Sequence, residues 1–175
     1  MKYNGKKRDQ IERGIFNKCQ ILADSIDHQR GLIVRHLIKY ESYETATDEL
    51  WRSLDCLHNI KKELKYLSSI KVQTICTFFP VNLPLYSLIV FAVIPGFMTN
   101  RIFIRPSLLM SSIVEFLYNI LNVKKIHPNL SFIRMERSLF NEAYVSSADV
   151  VLFTGRYKNA MRILEKYPDL FFLYN

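Results

Sequence analysis

The 175-residue chain reads as an α/β protein: an open parallel sheet of about five strands with helices on both faces, preceded by an N-terminal helical segment. Three observations predict this. From residue 72 onward, short β-branched and aromatic runs alternate with stretches of helical period. Before residue 70 the apolar spacing is helical throughout. Between them, Val72 to Asn100 holds no charged residue and three of the six prolines, as expected of a strand, a turn and a buried helix. The expected division is a helical segment at 1–69 packing on a sheet domain at 70–175.

Taken in order, Ile11, Ile15, Cys19, Leu22 and Ile26 form one face of a first helix. Leu32, Ile33, Leu37 and Tyr40 predict the inward side of a second. Leu50, Leu54, Leu57, Ile60 or Lys61, Leu64 and Leu67 make a seam along a third, with Trp51 packed beside it and Thr45 or Thr47 as its cap. Val72 to Phe79 reads as the first strand. A helix over Leu85–Ile94 follows, entered through Pro84, whose missing N–H is harmless in a first turn. Arg101 to Arg105 is a second strand. Ser107 is an N-cap candidate for a helix carrying Leu108, Leu109, Ile113, Phe116, Leu117, Ile120 and Leu121. Strands at Ser131–Met135, Asp149–Phe153 and Leu170–Tyr174 alternate with helices at Leu139–Tyr144 and Lys158–Tyr167.

Net charge is +8, divided as +3 over residues 1–70 and +5 over 71–175. The densest basic cluster is Lys2, Lys6, Lys7 and Arg8. Such charge can serve nucleic acid or anionic lipid, but its dispersal favours a solvated surface, with no nucleic-acid partner expected. The apolar core of the charge-free window, Leu85–Met98, is shorter than the roughly 20 residues of a spanning helix. A membrane partner is therefore not expected. Cys19, Cys56 and Cys76 are odd in number and widely spaced, and no signal peptide is visible. Together these predict a reducing compartment, the cytoplasm. No His, Cys or carboxylate cluster has ligand spacing, so no metal is expected.

Parallel sheets bind ligands beyond the carboxyl ends of their strands, so the loops at 80–84, 105–107, 135–137 and 153–156 carry the interest. At three of these loops the chain resembles the cofactor-binding part of an aldehyde dehydrogenase. Pro80-Val81-Asn82-Leu83-Pro84 is similar to the family's Pro-x-Asn-x-Pro turn. Arg105-Pro106-Ser107 is similar to its Lys-Pro-Ser, and Phe153-Thr154-Gly155-Arg156 to its Phe-Thr-Gly-Ser. The looser spelling looks more like the acyl-CoA or fatty-acyl reductase branch. The resemblance implies a Rossmann-like, NAD- or NADP-binding oxidoreductase fragment. In it Asn82 would be the oxyanion donor, and Phe79, Pro80, Arg105, Ser107, Thr154, Gly155 and Arg156 would contact the cofactor.

The departures matter as well. Leu108 stands where a ribose-holding glutamate is frequent, Arg156 replaces a serine, and Val81 replaces an aromatic residue. The family's general-base glutamate turn and nucleophilic cysteine have no counterpart here. None of the three cysteines sits at a strand end or helix N-terminus, where a thiolate is stabilised. The resemblance therefore implies a truncated enzyme, inactive alone, with a dinucleotide and a partner chain or the remainder of a split enzyme as partners. The alternatives are a non-catalytic interaction module on the same scaffold, or a basic membrane-associated protein. Four of these residues also have a plainer reading: a turn asparagine at Asn82, surface arginines at Arg105 and Arg156, and a tight turn at Gly155.

Overall fold

The computed structural model describes residues 5–174, so Lys2 of the basic cluster lies outside the described residues. Three helices open the fold: α1 (Gly5–His28), α2 (Arg30–Leu37) and α3 (Tyr43–His58). A 3-10 turn at Ile60–Lys62 and a short α4 (Leu64–Leu67) follow. The seam from Leu50 to Leu67 is buried except at the half-buried Leu64, but α3 stops at His58, and the seam continues through the turn into α4. Ser42, not Thr45 or Thr47, caps α3, its Oγ accepting from Thr45 N at 3.1 Å. Trp51 does not pack into the seam: it is 58% exposed, with the Arg30 guanidinium 4.9 Å from its ring centroid. Leu32 and Tyr40 are likewise exposed: α2 turns Ile33 and Leu37 inward and Leu32 out, and Tyr40 lies in the turn beyond its end.

Five parallel strands form one sheet in the order β3-β2-β1-β4-β5: β1 (Val72–Phe78), β2 (Thr99–Arg105), β3 (Leu130–Phe132), β4 (Val150–Phe153) and β5 (Phe171–Tyr174). Alternation along the strands divides the interior into two cores. Ile75, Ile102 and Ile104, joined by the partly buried Val150 and Leu152, face a core built with α1–α4 and the helices at 84–126. Cys76, Phe78, Val151 and Phe153 face a smaller one under α9 (Arg137–Ala143) and α10 (Tyr157–Lys166). The N-terminal helices thus share the larger core with the sheet.

The charge-free window is strand, turn and buried helix as expected. Its helical rod runs α5 (Pro84–Leu88), a π turn (Ile89–Val93) and α6 (Ile94–Gly96). Proline cannot bond back to the carbonyl four residues earlier, so Pro95 leaves the Phe91 oxygen free. The Thr77 hydroxyl on β1 takes it at 2.9 Å, tying rod to sheet. The helix expected from Ser107 instead starts later, as α7 (Ser111–Ile120), followed by α8 (Val123–Ile126). Leu108 and Leu109 sit in the intervening turn and are exposed. The third strand is shorter than expected, ending at Phe132 and not Met135. Among the described residues, no helix is long and apolar enough to cross a membrane.

Candidate functional site

The carboxyl ends of β1, β2 and β4 enclose a cleft of about 590 Å³, within the range of ligand pockets. Each residue proposed from sequence lines it: Phe79, Pro80, Asn82, Arg105, Ser107, Thr154, Gly155 and Arg156. The parallel register brings them together, since Phe78 pairs with both Arg105 and Phe153.

On the β1 side, Phe79 N donates to Arg105 O at 3.2 Å, and Phe79, buried in the larger core, lines the cleft. Asn82 is exposed at the rim. The next residue, Leu83, is left-handed at φ 51°, a conformation costing a non-glycine residue about 1–2 kcal/mol. Glu49 of α3 braces this turn: its Oε2 accepts from the backbone N–H groups of Leu85 and Tyr86, at 3.1 Å each. Burial, followed by the neighbouring Glu41 carboxyl, raises Glu49 to about 9, against the pull of the two N–H donors. The other Glu49 oxygen and both Glu41 oxygens are buried without a donor, and the O–H of a protonated Glu49 can donate to one of the Glu41 oxygens.

On the β2 side, Arg105 is 7% exposed, so the surface-arginine reading is wrong for it. Its backbone lies in the ladder, which draws the base of the side chain under the β3–α9 loop. There its Nε donates to Met135 O at 3.1 Å. Burial lowers its pKa, and the Arg137 charge lowers it further. Ser107 Oγ accepts from Met110 N at 3.3 Å, and Ser107 O from the Ser111 hydroxyl at 3.0 Å, so this serine caps a turn and not a helix.

On the β4 side, Thr154 N donates to Phe78 O at 3.3 Å, extending the pairing into the turn. A Cβ on Gly155, whose φ is 157°, would lie 3.0 Å from the Phe153 ring, so a side chain here is strained and the ring must shift to admit it. Arg156, exposed, is the residue before α10, whose N-terminus has no side-chain cap and opens on the cleft.

Sequence reasoning named the loop at 135–137 but not Arg137, which lines the cleft. It also missed Glu49, although an acid flanked by Ala46 and Ser53 on a buried helix face is a legible anomaly. None of the three thiols lines the cleft. Burial pushes Cys19 and Cys76 up to about 12 and raises Cys56, opposite to what a nucleophile needs. Among the described residues, no three His, Cys, Asp or Glu side chains gather as metal ligands.

No protein-family model and no curated protein sequence matches the chain. Solved structures do. An NAD-dependent benzaldehyde dehydrogenase from Corynebacterium glutamicum superposes with a TM-score of 0.75 at 15% identity, over 95% of this chain and 41% of its own. The glyceraldehyde-3-phosphate dehydrogenase GapN from Methanocaldococcus jannaschii, solved with NADP, gives 0.73 at 15%, over 97% and 43%. Aldehyde dehydrogenase 21 from Physcomitrella patens, solved with the product succinate, gives 0.78 at 13%, over 93% and 39%. The chain therefore has the fold of the aldehyde dehydrogenases and spans about two fifths of their length.

Proposed function

We propose that the chain supplies the NAD(P)-binding side of an aldehyde dehydrogenase-like site. The observation that carries this is the single cleft in which three separate strand ends bring Asn82, Arg105, Ser107, Gly155 and Arg156 together. The lining fits a dinucleotide: three arginines, no carboxylate, an open helix N-terminus, and a buried Arg137 Nε with no partner. Arg105 and Ser107 would hold the adenosine ribose, and Gly155 and Arg156 the pyrophosphate. The nicotinamide, when bound, accepts or gives the hydride. Asn82 at the rim would donate its amide N–H to a substrate oxygen as negative charge develops there. The loosely spelled turns favour an acyl-CoA or fatty-acyl reductase branch.

A thiol attack needs a low-pKa cysteine near Asn82, and this chain's thiols are neither near nor acidic, so it does not turn over an aldehyde alone. The test is titration of the chain with NADH and NADPH, followed by nucleotide fluorescence. Saturable binding is expected, and failure of both to bind at millimolar concentration refutes the reading. A second reading, an interaction module, is favoured by β5, where Phe171, Leu173 and Tyr174 are 62%, 48% and 48% exposed on an edge strand. It predicts concentration-dependent association in sedimentation that Leu173→Lys abolishes.

A further inference from the structure

Folding gathers charge that is dispersed along the sequence. The N-terminal turns of α1 carry Lys6, Lys7, Arg8 and Arg13, and the stretch from the 3-10 turn into α4 carries Lys61, Lys62 and Lys65. The two stretches touch. Arg8 Nη2 donates to Lys65 O at 3.0 Å across 57 residues of sequence, and the Lys61 ammonium lies 4.5 Å from the centroid of the Phe16 ring on α1. Arg8 is half-buried, and the other basic residues of the group are exposed. The same stretches hold three acids, Asp9, Glu12 and Glu63, and Glu12 is already engaged by Arg8 Nε and the Ser68 hydroxyl at 2.9 Å each. The resulting excess of four positive charges is half of the chain's net +8.

Beside the lysines, Tyr66 and Ile70 are 58% and 44% exposed. That combination suits a bilayer surface, where ammonium groups meet anionic headgroups and an amphipathic ring sits at headgroup depth. A nucleic acid fits less well. The recess between the two stretches, lined by Arg13, Phe16 and Lys61, also holds Asp9 and Glu12. A phosphate backbone laid into it meets carboxylates, whereas a bilayer rests on the outer ammonium groups.

We propose that this patch is a peripheral docking surface for anionic lipid bilayers, seated by Lys6, Lys7, Lys61, Lys62 and Lys65 with Tyr66 at headgroup depth. It needs no spanning segment and is independent of what the cleft binds.

The test is co-sedimentation of the full chain with vesicles of phosphatidylcholine, alone or with about one third phosphatidylserine. Binding to the anionic vesicles should be at least about tenfold stronger in low salt and should fall as salt rises. Lys61→Gln/Lys62→Gln/Lys65→Gln should weaken it at least about tenfold. The same loss of charge on α10, which packs on the smaller core across the sheet, serves as the control: Lys158→Gln/Arg162→Gln/Lys166→Gln should leave binding within about twofold. Tyr66→Ser should weaken binding by an amount that salt does not abolish, and unchanged binding overturns the part given to the ring. Thermal melts confirm that the variants are folded. No preference for the anionic vesicles, or equal losses in the two triple variants, overturns the proposal. Binding of a DNA duplex that the patch variant loses, without vesicle binding, overturns the lipid assignment in favour of nucleic acid.

Discussion

Replacing Glu49 should loosen the Asn82 turn from beneath. Glu49→Ala removes the acceptor for two N–H groups, one on the fully buried Leu85 and one on the half-buried Tyr86. A buried donor left unpaired costs about 1–3 kcal/mol and a partly exposed one about 1. Relief of the contact with Glu41 offsets part of this, leaving a loss of about 2 kcal/mol. That corresponds to a Tm lower by about 4–8 °C for a chain of this size. Glu49→Gln keeps one acceptor oxygen and can donate to Glu41, so it should cost under about 1 kcal/mol.

The same residue controls a pH dependence. Its folded pKa, about 9, stands above the ordinary 4.5, so between those values the folded chain holds a proton that the unfolded chain has released. Stability is then fully present below about pH 4.5 and falls as pH rises toward 9, by at most about 1.4 kcal/mol per pH unit. Urea unfolding of the parent and Glu49→Gln from pH 6.5 to 8.5 checks this. The parent should lose stability across that range and the variant should not. Equal slopes, or a Glu49→Ala loss below about 1 kcal/mol, would refute the shared-proton brace.

His127 should set the acid limb. It is buried against Gly96 and Phe97, with burial and the Lys18 charge lowering its pKa to about 4. Between about 6.5 and 4 the unfolded chain takes a proton that the folded chain refuses, so stability falls as pH falls through that window. His127→Phe should flatten the acid limb in urea titrations at pH 7 and pH 5; an unaltered limb would remove His127 from the explanation. Gly155→Ala should cost about 1–3 kcal/mol, because the Phe153 ring it meets is wedged against Phe78 and Phe172. A melt shifted by less than 1 °C would show that the turn yields.

The strands and the three loops of the cleft were legible because each is local. Val-Val-Leu-Phe at 150–153 is a strand by composition, and Thr154-Gly155 a turn by the same rule. What escaped was long-range. Glu49 meets Leu85 across 36 residues of sequence, and Arg105 meets Met135 across 30, so the neighbours of either residue do not name its partner, even where the buried face around Glu49 signals its burial. Trp51 was misplaced for a related reason. The apolar seam passes one position away from it, and only the rotation of α3 on the core decides which neighbour turns outward.

The strand order has a kinetic consequence. β1 is central, yet its two neighbours lie at very different distances along the chain. Val72 pairs with Thr99, 27 residues on, while Ile75 pairs with Val150, 75 residues on. Closing the longer loop costs about 0.9 kcal/mol more in chain entropy. Folding that follows this gradient would zip β1 to β2 first and add β4, with the Gly155 turn and α10, to a half-built cleft. The Asn82 and Arg105 wall would then exist before the wall that faces it, and amide hydrogen exchange in β4 and β5 should outpace that in β1 and β2.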